Sequence, residues 1–173
     1  MMLPADTVNR KLLAIYLNDH MAASTGTVEL VRRVAASNRG SAYGETLAEL
    51  RNEIEEDHTA LATIIDRLDV RADRAKAAVA WSAEKFGRLK LNGQLTGYSP
   101  LSRLEELEIL ELGLTGKLQL WEALRRTEPP GIPAEQLEGL IVRARSQRER
   151  LERHRREAAS EALGEPAARK TGT

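Results

Sequence analysis

Apolar residues recur at helical spacing in four long stretches of the chain. The first runs from a cap at Asp6 or Thr7 to about Asn38, with Leu13, Leu17, His20, Thr27, Val31 and Val34 on one stripe. Asn38-Arg39-Gly40-Ser41 then reads as a stop followed by a turn. The second stretch, about Tyr43 to Leu68, repeats Leu47, Leu50, Ile54, His58, Leu61, Ile65 and Leu68, which puts a histidine at the centre of the seam. The third starts at Ser99-Pro100, a cap with proline at the first helical position, and ends near Arg126. It carries Leu101, Leu104, Leu107, Leu110, Leu114, Leu118, Trp121 and Leu124, while Ile109, Leu112 and Leu120 add apolar surface on other sides. After the breaker Glu128-Pro129-Pro130-Gly131-Ile132-Pro133, a fourth helix over about Ala134 to Leu163 buries Leu137, Leu140, Ile141, Ala144 and Leu151.

Residues 70–99 read differently. A shorter Ala-rich helix, about Arg74 to Leu89, precedes the glycine-containing irregular loop Asn92-Gly93-Gln94-Leu95-Thr96-Gly97-Tyr98. Helices joined by tight turns run antiparallel, whereas a long connection can return across a bundle and start the third helix parallel to the second. The prediction is an all-α four-helix bundle, one domain over 1–163 with a crossover at 70–99 containing a short helix, and a disordered tail at 164–173. A plain helical bundle with a different connection is the alternative.

Composition narrows the function classes. The chain's 173 residues can bury a sizeable core without staples, and 26 basic against 26 acidic residues leave no global attraction to nucleic acid. The absence of cysteine excludes disulfides, thiolate metal sites and cysteine nucleophiles, and fits a reducing compartment. Met1-Met2-Leu3-Pro4-Ala5-Asp6 lacks the basic and apolar regions of a signal peptide, and no apolar run approaches the ~20 residues of a membrane span, so the expected location is the cytoplasm. No phosphate-binding glycine loop, serine nucleophile elbow or zinc signature occurs.

The candidate chemistry is a single Glu-x-x-His, at Glu55-Glu56-Asp57-His58. Its i, i+3 spacing puts both side chains on one helical face. Two such motifs, with one further Glu from each of the other two helices, hold a dinuclear iron or manganese centre in a four-helix bundle. The third helix offers Glu108 and Glu111, one turn apart on a stripe with Leu104, Thr115 and Leu118. The first offers Asp19 or His20. The fourth offers no second motif: its middle reads Ile141-Val142-Arg143-Ala144-Arg145-Ser146-Gln147-Arg148.

Glu55-Glu56-Asp57-His58, with the Glu-bearing third helix after a long crossover, resembles the ferritin-like superfamily over roughly residues 7–160. Tyr16-Leu17-Asn18-Asp19-His20 and the segment from Gly87 to Arg103 look closer to uncharacterised bacterial ferritin-like proteins. The resemblance implies the fold and a degenerate di-metal site, and carries no activity.

Three readings follow. A non-catalytic bundle without an intact metal centre or cofactor, acting through its surface as a homodimer, agrees best with the missing second motif and the apolar excess of the third helix. A metal-binding protein would need an altered iron or manganese ligand set, His20, Glu55, His58, Glu108 and Glu111. A nucleic-acid or stress-associated binder would use Arg143, Arg145, Arg148, Arg150, Arg153, Arg155 and Arg156, although interspersed Glu149, Glu152 and Glu157 favour an ion-paired face. Outside metal ligation, Glu108 and Glu111 should pair with arginines of a neighbour, and buried neutral His20 and His58 should make the fold acid-sensitive below about pH 6.

Overall fold

Each of the four apolar stretches is a helix in a computed structural model that describes residues 8–70 and 98–164. They are α1 (Arg10–Ser37), α2 (Gly44–Leu68), α3 (Pro100–Thr127) and α4 (Ala134–Leu163), and no strand occurs among the described residues. The short helix expected at 74–89, most of the loop after it, and all of the expected tail except Gly164 lie outside the described residues.

Local chemistry sets the helix ends. α1 begins later than the expected Asp6 or Thr7 cap, because Asn9 takes that role: its side-chain oxygen accepts the Leu12 N–H at 3.1 Å. α1 ends at Asn38, whose Nδ2 donates to Val34 O at 2.8 Å, and Gly40 supplies the positive φ of 76° that turns the chain into α2. The start of α3 follows the expected pattern, with Ser99 Oγ accepting from Ser102 N at 3.1 Å and Pro100 in the first turn. Pro129 to Pro133 separate α3 from α4, and buried Ile132 anchors this connection to the core.

Cross-helix pairs give the directions. Asn38, at the end of α1, meets Tyr98 and Arg103 at the start of α3 (2.7 and 2.8 Å), and Arg33 meets Glu106 at 2.9 Å, so α1 and α3 are antiparallel. Arg67–Gln136 (3.1 Å) and Arg150–Glu53 (2.5 Å) make α2 and α4 antiparallel, and Arg125–Glu138 (2.7 Å) and Arg103–Glu161 (2.8 Å) do the same for α3 and α4. The guanidinium of Arg103, near the start of α3, lies 4.7 Å over the ring of Tyr43 at the start of α2, so these two helices start at the same end. The result is an all-α four-helix bundle.

The inward seams advance by alternating three and four residues, the pattern of knobs-into-holes packing. On α2 the seam is Leu47, Leu50, Ile54, Asp57, Leu61, Ile64, Leu68. On α3 it is Leu107, Leu110, Leu114, Lys117, Trp121, Leu124, and on α4 Leu137, Leu140, Ala144, Gln147, Leu151. Asp57 therefore takes the central α2 position expected for His58, and Leu101, expected inside, is 49% exposed. The apolar positions form two clusters, one around Leu61, Trp121 and Ile141, the other around Leu47, Leu110 and Leu151. Each fully buried leucine contributes ~1.5–3 kcal/mol to such a cluster. Between the two clusters lies a layer of polar residues.

Candidate functional site

That middle layer takes one residue from each of three seams. The Asp57 side chain is 1% exposed, that of Lys117 12%, and Gln147 is fully buried. Lys117 Nζ donates to Asp57 Oδ2 at 2.5 Å and to Gln147 Oε1 at 2.5 Å, and Gln147 Nε2 donates to Asp57 Oδ2 at 3.0 Å. The other Asp57 oxygen takes Arg143 Nη2, whose guanidinium also reaches the exposed Glu56 at 2.9 Å. Each charged side chain of the layer thus has an ion-pair partner, the condition for burying charge in a core, while Arg143 Nε has no hydrogen-bond partner among the described residues. Burial pushes the Lys117 ammonium below the ordinary lysine range, and the neighbouring Asp57 carboxylate pushes it back up.

On the α1 side the layer is not filled by the described residues. Ser24 and Thr27 mark the level: Ser24 Oγ is 3.0 Å from His58 Nδ1, and Thr27 packs against Gly113. Ala23 and Ser24 on α1 face Gly113 and Gly116 on α3, and these small residues leave a cavity of about 120 Å³. Ile54, Leu61, Leu120 and Trp121 form apolar walls, with Asp57 and Lys117 at the polar floor. Ala23 and Leu112, both exposed, also line it, as does half-buried His20. The Trp121 indole N–H is buried and has no hydrogen-bond partner among the described residues.

The residues expected as metal ligands each meet other partners. Glu55 pairs with Arg32 at 2.7 Å, on the surface. His58 shares its Nδ1 with Ser24. The His20 ring meets Tyr16 edge-on, 4.5 Å between centroids. Glu111 pairs with Arg148 at 2.6 Å, and Glu108 lies 3.6 Å from Arg155. The expected alternative of salt bridges to a neighbouring helix therefore describes both glutamates of α3. No group of three or more His, Cys, Asp or Glu among the described residues is placed to hold a metal ion.

Lys117 is the residue that sequence reasoning missed, and Gln147 stands out there only as part of the fourth-helix stretch that offers no second motif. The three-four spacing of the α3 seam carries the signal, because Lys117 falls on the inward position between Leu114 and Trp121. Six of the seven arginines of α4 are tied to carboxylates: Arg143 to Glu56 and Asp57, Arg145 to Glu122, Arg148 to Glu111, Arg150 to Glu49 and Glu53, Arg155 and Arg156 to Glu152. No helix among the described residues is long and apolar enough to cross a membrane. No protein-family model, curated protein or solved structure matches the chain.

Proposed function

We propose that this chain is a ferritin-like bundle in which an internal charge-paired layer stands in place of a di-metal centre, and that it acts as a non-catalytic, cytoplasmic homodimer. One observation carries the reading: Lys117 Nζ lies 2.5 Å from both Asp57 Oδ2 and Gln147 Oε1 at mid-bundle. An ammonium there occupies the oxygen donors a metal would need and repels a cation brought close to it. The antiparallel neighbours and the common end at which α2 and α3 start agree with a one-crossover bundle.

Elemental analysis of purified protein tests the metal part of the proposal. Sub-stoichiometric iron, manganese and zinc are expected. About one equivalent of any of them, lost on His58→Ala, overturns it in favour of the altered ligand set. The homodimer would use the outer face of α3, where Leu101 and Leu112 are 49% and 71% exposed. Light scattering should give twice the chain mass for the native protein and the monomer mass for Leu112→Asp. A native protein of monomer mass removes the dimer from the proposal.

A further inference from the structure

We propose that the cavity beside the middle layer is a binding site for a short-chain monocarboxylate, its carboxylate on Lys117 and Trp121 and its tail among Ile54, Leu61 and Leu120. The cavity walls are apolar, so an occupant needs an apolar body. Its volume, about 120 Å³, compares with the ~150 Å³ of an apolar cavity that holds benzene, which limits the body to about six non-hydrogen atoms.

Hydrogen-bond capacity sets the polar end. A lysine ammonium has three donors. Two of Lys117's are used, by Asp57 and Gln147. The Trp121 indole, fully buried and lining the same cavity, donates to nothing among the described residues. An oxygen acceptor beside these two lining residues would serve the unpaired indole N–H and the third ammonium donor of Lys117. Charge favours an anionic one. Asp57 also lines the cavity, but its oxygens already face Lys117, Gln147 and Arg143, so the charge a new acceptor would meet is the Lys117 ammonium. Arg143, itself 32% exposed, is balanced at the surface by Glu56. The other polar groups lining the cavity are already committed or half-solvated: Thr27 Oγ1 donates to Ala23 O at 2.9 Å, Ser24 shares its hydroxyl with His58, and His20 sits half-buried.

Gly116 supplies the access. A Cβ on Gly116 would meet nothing within 4 Å, so the space beside it is open. The inference depends on Lys117 lying at the layer, and not on the ferritin-like ancestry or on a dimer. Metal analysis and ligand titration use different readouts, so the two proposals fail separately.

The test is titration of the full-length protein with sodium butyrate, followed by backbone and indole N–H resonances, with sodium chloride at equal ionic strength as reference. Saturable shifts are expected at the Trp121 indole and the Gly113 and Gly116 amides. Butyrate should bind at least tenfold tighter than butyramide or butylammonium. Gly116→Leu, which fills the cavity and leaves Lys117 in place, should weaken binding at least tenfold. Lys117→Met should remove the preference for carboxylate over amide; if that variant does not fold, Gly116→Leu carries the decision. Shifts that do not saturate, that spread along the arginines of α4, or that persist in Gly116→Leu overturn the site. Equal affinity for butyramide overturns the ligand class.

Discussion

Between α2, α3 and α4 the middle of the bundle is packed with paired charge, whereas between α1 and α3, at the same level, it is hollow. On the closed side Asp57, Lys117 and Gln147 each fill a seam position and hydrogen-bond to one another, with Arg143 at the edge. On the open side the corresponding positions hold Ser24 on α1 and glycine on α3. The difference shows that this layer is more than a spacer between two apolar clusters. A purely structural polar layer gains from being filled, because each missing contact is a loss. Here side-chain volume is removed on one side only, next to the one ammonium of the layer.

The closed side can be broken most severely at its single anion. Asp57→Ala would leave Lys117 and the inner edge of Arg143 without their carboxylate, and should cost about 3–5 kcal/mol in urea unfolding. Replacing Asp57, Lys117 and Gln147 by leucine together with Arg143→Met removes the charges along with their partners. That variant should be as stable as the native protein or up to ~1–4 kcal/mol more so. If Asp57→Ala costs less than about 1 kcal/mol, water reaches Lys117 and the closed side is not closed.

The fold was legible because its signals are local and periodic. The α4 seam of Leu137, Leu140, Ile141, Ala144 and Leu151 is buried as its spacing requires, and Ser99-Pro100 opens α3. The site was less legible, for two reasons. Asp57 and His58 are adjacent, and a 3.6-residue period admits either as the inward residue; only the strict three-four alternation from Leu47 to Leu68 selects Asp57. Lys117 was hidden by its type, since a lysine between leucines reads as a surface residue until a buried partner is known. That partner lies 60 residues away on α2, and the other, Gln147, 30 away on α4. The cavity has no sequence signature, because it arises from small residues on two helices meeting at one level.

The two glycines of α3 sharpen the comparison at smaller magnitude, and with opposite signs. A Cβ at Gly113 would stand 2.6 Å from Thr27 Oγ1 and 3.0 Å from its Cγ2, and Thr27 is buried and held by its bond to Ala23 O. Gly113→Ala should therefore destabilise by about 1–2 kcal/mol net, overpacking outweighing the gain in helix propensity. Gly116→Ala adds its methyl to open space and should stabilise by about 1 kcal/mol, the propensity difference alone. Thermal unfolding of both variants reads the signs directly. A stabilising Gly113→Ala would mean that α1 and α3 can move apart at this level, so that the hollow is not fixed by close helix contact.

Protonation separates the two sides by the smallest effect. Both described histidines near the layer belong to the open side: His20 lines the cavity, and His58 bonds to Ser24, which also lines it. Burial lowers the pKa of His20, with Asp19 opposing, and that of His58, where Arg32 lowers it further. A histidine whose folded pKa lies below its unfolded value near 6.5 binds fewer protons in the native state as pH falls through that value. Stability should therefore be flat above about pH 7.5 and decline as pH falls through 6.5, levelling once pH is below the folded pKa values. Urea midpoints taken between pH 7.5 and 5.5, above the carboxylate range, isolate this window. The double variant His20→Gln/His58→Gln should lose most of the slope. If the slope survives intact, His20 and His58 are not its source, and the hollow does not respond to acid.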